Sequence, residues 1–165
     1  MGSGKSTLGK KLAGLLGYEF TDLDILIEEK SGKSIPEIFK QDGEVTFRKT
    51  EAECLVSILS KKSTVVSLGG GTVCFNNNLE KIKKAGVLVY IKLPAKTLAQ
   101  RVRSSKQERP LLDKLDDKEL LSTVEKLLQE REKFYEQAHM IVRGLNLTAQ
   151  DIYSALLEYS SKHNF

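Results

Sequence analysis

The chain opens on Gly2-Ser3-Gly4-Lys5-Ser6-Thr7, and Leu8, Leu12, Leu15 and Leu16 recur behind it at helical spacing until Gly17. A glycine-rich turn running straight into an amphipathic helix matches the second half of the G-x-x-x-x-G-K-[ST] loop. In that loop backbone amides and the helix N-terminus cradle phosphates, and the lysine meets the β and γ oxygens. Gly2, Ser3, Gly4, Lys5, Ser6 and Thr7 are therefore the candidate ATP-binding residues, with the Ser6 hydroxyl a candidate ligand for Mg²⁺. A glycine-rich tail of no function would not be followed at once by a helix and a full set of downstream elements.

Such a loop points to a doubly wound α/β fold, and the rest of the chain agrees. Short β-branched runs at Glu19 to Thr21, Thr64 to Leu68, Val87 to Leu93 and His139 to Val142 read as strands. They alternate with helical patterns at Ile35 to Phe39, about Gly43 to Leu59, from an asparagine cap at Asn76 to Asn78 up to Ala85, and from Pro94 to about Arg103. A long helix ending near Gln137 and another at Ala149 to Ser161 complete the alternation. The pattern predicts a three-layer domain with a parallel sheet and flanking helices over residues 1–165. A chain of 165 residues with 40% hydrophobic content fills one core rather than two. Polar, aperiodic Ser104 to Asp116 reads as a mobile lid.

A complete loop of this type needs a glycine before Met1 and a buried strand before that. Only four strands are assignable where five are expected, and the fifth would be central. The expectation is that the chain is shortened or that another segment, such as one exchanged with a second molecule, completes the sheet. A monomer is the first expectation and strand exchange the alternative.

Asp22 and Asp24 follow a short strand end, where doubly wound sheets bind ligands. Alternate spacing would send both side chains to one side, so that one carboxylate serves Mg²⁺ and the other an acceptor hydroxyl. Helix capping is an equal alternative for the pair. Gly69, Gly70 and Gly71 follow a buried-type strand, and three glycines where a turn needs one favour close approach of backbone to a ligand.

The charge of +4 comes from 26 basic and 22 acidic residues spread along the chain. That suits small anionic substrates and calls for neither nucleic acid nor membrane as a partner. Cys54 and Cys74 form no Cys-x-x-Cys pair, no stretch approaches the roughly 18 apolar residues of a membrane helix, and a reducing cytoplasm is expected. His139, His163 and the Lys61-Lys62 and Lys83-Lys84 pairs carry no ligand spacing and read as structural or solvated.

Taken in order, GSGKST, the Asp22 to Asp24 DLD, GKSIPEIF, DGEVTFRKTE around Arg48, SLGGG ending at Gly71, RPLL from Arg109 and REKFY from Arg131 to Tyr135 make the chain resemble the shikimate kinases over essentially its full length. The resemblance implies a kinase that moves the γ-phosphoryl group of ATP onto shikimate, in aromatic amino-acid biosynthesis, with Mg²⁺. It makes Asp24 the contact to the acceptor hydroxyls and candidate base, and puts Asp22 near the metal, through water. Arg48 and Arg131 hold the substrate carboxylate, a task suited to forked, permanently charged guanidinium groups. Gly70 and Gly71 offer backbone amides to the same small ring, and the acceptor-binding region spans about residues 25–60. Lys5 and Arg109 neutralise the transferring group, Arg109 from the lid. Arg103 is the nearest counterpart of an adenine-side arginine, only across a small gap, and is left unassigned.

Two other readings stand beside this one. A related kinase for gluconate or a nucleoside monophosphate shares the loop, sheet and lid, and a non-catalytic nucleotide-binding protein would follow from the incomplete loop. A GTPase is disfavoured, because no Asn-Lys-x-Asp segment occurs.

Overall fold

In the computed structural model, which describes residues 2–105 and 115–163, helix α1 (Lys5–Leu16) starts after Gly4 at φ 81° and stops at Gly17 at φ 68°. Both are left-handed conformations that glycine adopts without a Cβ clash. The order then runs β1 (Glu19–Asp22), α2 (Leu23–Ser31), α3 (Ile35–Gln41), α4 (Gly43–Leu59), β2 (Thr64–Ser67) and a 3₁₀ turn (Thr72–Cys74). It continues with α5 (Asn78–Ala85), β3 (Val89–Lys92), α6 (Ala95–Arg103), α7 (Asp117–Tyr135), β4 (Met140–Arg143) and α8 (Ala149–His163).

The four expected strands are present, and all pairing is parallel. Glu19 to Asp22 lie beside Thr64 to Ser67, and Val89 to Lys92 beside Met140 to Arg143. Among the described residues these are two separate two-stranded sheets, with no ladder between them. What joins them is packing. Leu12 of α1 and Ile152 of α8 form one buried cluster that Val65 of β2, Val89 and Ile91 of β3 and Val142 of β4 pack against, so two helices cover one face of both sheets. Val66, next to Val65 and so on the opposite face, packs instead against the core of α2, α4 and α5 built on Leu23, Ile27, Leu55 and Ile82. A third cluster joins α6 to α7 through Leu98, Val102, Leu120 and Val124. The result is the anticipated three-layer α/β arrangement.

Two local expectations change. No helix is expected from the pattern at 23–31, yet α2 forms there because Asp22 caps it and Leu23 and Ile27, four residues apart, are both fully buried. The asparagine cap of α5 is not a side-chain cap: Asn77 occupies the position at φ 55° and bonds the helix only through its carbonyl, which accepts from the Lys81 amide, and Asn78 is already helical and buried. The expected lid falls mainly on residues 106–114, outside the described residues, and so does Arg109.

Candidate active site

The phosphate-binding loop and the first acidic residue meet directly. Ser6 Oγ donates to Asp22 Oδ2 at 2.6 Å and lies 3.1 Å from Ser67 Oγ at the end of β2. A hydroxyl has one proton, so with Ser6 donating to Asp22, Ser67 is the donor to Ser6. Asp22 uses its other oxygen to cap α2, accepting from the Asp24 amide at 3.0 Å. The capping reading of this aspartate therefore holds, and its second oxygen faces the phosphate loop. The strand-alternation argument for the pair does not hold, because Asp24 already belongs to the first turn of α2.

Asp24 lies against the glycine loop. A Cβ on Gly69 would lie 3.0 Å from both Asp24 Oδ1 and Thr72 Oγ1, so any larger residue would crowd both side chains. Burial pushes the Asp24 carboxyl above its ordinary value; Lys5 opposes that shift, while Asp22 and Glu51 add to it. A raised carboxyl next to a lysine of the phosphate loop is the electrostatic signature of a group suited to proton handling.

Arg48 packs on the other end of the loop, where a Cβ on Gly71 would meet its Nη2 at 2.9 Å. None of Gly69 to Gly71 has a positive φ, and Gly71 sits at φ −92°. At Gly69 and Gly71 the requirement is therefore close approach rather than an unusual turn. Arg48 Nη1 donates to Glu51 Oε2 at 2.8 Å, its Nε and Nη2 both reach Glu44 Oε1 at 3.2 Å, and its guanidinium lies 4.0 Å over the Phe75 ring. Glu51 is 1% exposed and also accepts from Thr72 Oγ1 at 2.7 Å. Its charge is compensated by one guanidinium and one hydroxyl, as a buried carboxylate requires. The Cys74 thiol, raised by burial, is drawn back by the nearby charges of Arg131 and Arg48, an effect that puts both arginines within electrostatic reach of one atom.

Asp22, Asp24, Arg48 and Gly69 to Gly71 thus converge with Lys5 and Ser6 on one surface, and α7 brings Arg131 to it. Several participants are not evident in the sequence. Glu51 has only its i+3 spacing from Arg48 as a signal, Ser67 its place at a strand end, and Thr72 none. Asn76 and Asn78, expected as caps, instead donate to the carbonyls of Arg48 and Thr72, both at 3.0 Å. Arg101 reaches the Ser3 carbonyl of the phosphate loop at 3.3 Å and that of Leu145 at 2.7 Å. Arg103 is engaged elsewhere, with Asp117 and the Leu115 carbonyl.

For a metal, Ser6 and Asp22 offer two oxygen donors side by side. Among the described residues no cluster of three or more His, Cys, Asp or Glu side chains could hold an ion. One hydroxyl and one carboxylate, with the remaining positions left to water and phosphate oxygens, fit Mg²⁺ better than a cation wanting an all-protein cage.

A family model described as shikimate kinase matches residues 1–160. The chain is 48% identical over 146 residues to a shikimate kinase of Chlorobium chlorochromatii, covering 86% of this chain and 76% of the relative. It is 41% identical over 145 residues to that of Clostridium botulinum, covering 87% and 83%. The fold is similar to a crystal structure of shikimate kinase from Bacteroides thetaiotaomicron, with a TM-score of 0.89 at 35% identity, covering 100% of this chain and 94% of that one. It is also similar to the Acinetobacter baumannii shikimate kinase in complex with shikimate, with a TM-score of 0.87 at 36% identity, covering 100% and 90%.

Proposed function

The chain belongs to the shikimate kinase family, and on that premise we infer that it transfers the γ-phosphoryl group of ATP to shikimate, giving 3-phosphoshikimate and ADP. The observation that carries the reading is the convergence of Ser6 and Asp22 with Asp24 and Arg48 around one glycine loop.

The chemistry is in-line transfer between two bound molecules, so the protein's work is positioning and charge. Gly2 to Thr7 hold the phosphates at the N-terminus of α1, with Lys5 on their outer oxygens. Ser6 and Asp22 would hold Mg²⁺, Asp22 through water, and the ion would supply positive charge to offset that of the phosphates. Arg48 and Arg131 grip the shikimate carboxylate, and the amides of Gly70 and Gly71 meet the same small ring. Asp24 orients the acceptor hydroxyl and takes its proton, a role supported by its raised affinity for protons. Arg109 is assigned, from the resemblance alone, to the charge on the transferring group. The working unit in this reading is a cytoplasmic monomer comprising one kinase domain.

The test is Mg²⁺-dependent ADP release from the purified chain with shikimate, gluconate, AMP or no acceptor at matched concentrations. Release with shikimate alone is expected. Release with gluconate or AMP instead would overturn the acceptor assignment, and release with none of them would favour a non-catalytic nucleotide-binding role.

A further inference from the structure

Tyr135 closes α7, one helical turn beyond Arg131, and its phenol donates to the Gly70 carbonyl at 2.5 Å. Residues four apart share a helix face, so the arginine assigned to the substrate and this tyrosine point the same way. The phenol is fixed from behind. Its ring packs against the buried core of α2, α4 and α5 and against Tyr90 of β3, with ring centroids 5.0 Å apart. Burial raises the phenol above its ordinary value, with Arg131 pulling the other way, so the hydroxyl remains a proton donor at physiological pH.

The bond matters because of what lies across the same peptide plane. The Gly70 carbonyl and the Gly71 N–H belong to one planar unit, and no peptide among the described residues is cis, so the two point in opposite directions. Holding the carbonyl on Tyr135 therefore fixes the direction of the Gly71 N–H, away from the phenol. Within the glycine turn, Thr72 donates to Gly69 and Cys74 to Gly71, but among the described residues neither the Gly70 nor the Gly71 N–H has an acceptor. A glycine peptide without side chains has little else to hold its orientation.

We propose that Tyr135 is a positioning residue for the acceptor: its hydroxyl aims the Gly71 amide and ties the glycine loop to the helix that carries Arg131. The proposal rests on the acceptor reading given above. Tyr135 touches no reacting atom; it acts through the loop, and its loss weakens acceptor binding without weakening ATP.

The experiment is Tyr135→Phe, which keeps the ring and its packing and removes one hydroxyl. KM for shikimate is expected to rise roughly 3- to 10-fold, the span of one hydrogen bond of ordinary net strength, with KM for ATP, kcat and melting temperature close to wild type. Tyr90→Phe, which removes the hydroxyl of the neighbouring ring, leaves all four unchanged. Without any substrate, hydrogen exchange at the Thr72 and Cys74 amides quickens in Tyr135→Phe and not in Tyr90→Phe. An unchanged KM for shikimate with unchanged exchange overturns the proposal, and so does a uniform loss of stability and of both affinities, which would mean a purely structural phenol. Should the wild type fail to phosphorylate shikimate, the acceptor reading falls on that result alone. The exchange comparison still decides whether Tyr135 holds the loop.

Discussion

Ser6 and Asp22, sixteen residues apart in the chain, share a 2.6 Å hydrogen bond that joins the phosphate loop to the cap of α2. Removing the hydroxyl with Ser6→Ala deletes a proposed Mg²⁺ ligand and leaves Asp22 without its partner on that side. We expect kcat/KM for ATP to fall by about 10- to 100-fold, the usual effect of disturbing a metal's oriented ligands, with a higher Mg²⁺ concentration needed for half-maximal rate. Titrating Mg²⁺ at fixed ATP checks this. An unchanged Mg²⁺ requirement would remove Ser6 from the metal site.

Arg48 is shared between a buried partner and an exposed one. Glu51 is 1% exposed as a side chain, whereas Glu44 is 56% exposed and holds the Nε and Nη2 edge of the guanidinium. That edge is one a substrate carboxylate would seek. Glu44→Gln should lower KM for shikimate by about twofold, since an exposed i,i+4 pair is worth only a few tenths of a kcal/mol. Arg48→Lys loses the fork and should raise KM roughly 10- to 100-fold. Initial-rate kinetics on the two variants test both statements, and a rise in KM for Glu44→Gln would show that Glu44 helps rather than competes.

Asp24 links activity and stability with opposite signs. Its proton affinity is raised by burial, so the ionised form needed in a base is lost as pH falls through that raised value, and kcat/KM should show an acid limb above the ordinary 3.8. For stability, the folded state binds this proton more tightly than the unfolded state. The carboxyl therefore costs nothing well below pH 3.8, and its penalty grows as pH rises from there through the folded value. Asp24→Asn should lose about 10²- to 10⁴-fold in rate while melting higher than wild type at pH 7.5, with the gap narrowing in acid. A lower melting temperature at pH 7.5 would contradict the burial argument.

Light scattering tests the oligomeric state. A mass of one chain is expected at micromolar concentration, since α1 and α8 together cover one face of both sheets within a single molecule. A dimer would instead point to strand exchange.

Much of this was legible in the chain. The glycine-lysine loop and the leucines behind it specified α1 by period and by its two glycine ends, and strands such as Val89 to Lys92 stood out as continuous buried-type runs. Asp22 and Asp24 carry a local signal in their place at a strand end, whereas Arg48 and Arg131 stand out only through ordered motifs. What escaped was long-range. Nothing near Glu51 says that Thr72, 21 residues away, will donate to it, or that Asn78 will spend its amide on a carbonyl instead of a cap. Helix α2 is hidden in the sequence because an aspartate at a strand end reads as a ligand as readily as a cap, and the two oxygens of Asp22 serve the cap and Ser6.

The last turn of α7 is clamped. Lys92 of β3 donates to Glu132 and Glu136, and Tyr135 is held between Tyr90 and the Gly70 carbonyl. A helix of 19 residues is roughly 28 Å long, and its clamped end lies beside Arg131 while Leu120 and Val124 near the other end pack against α6. Any repacking on α6 that tilted the helix by about 10° would carry the Asp117 end through about 5 Å, by the length just given, and leave the arginine near the clamp almost in place. The proposed carboxylate contact and the packing on α6 are thus separated along one rod.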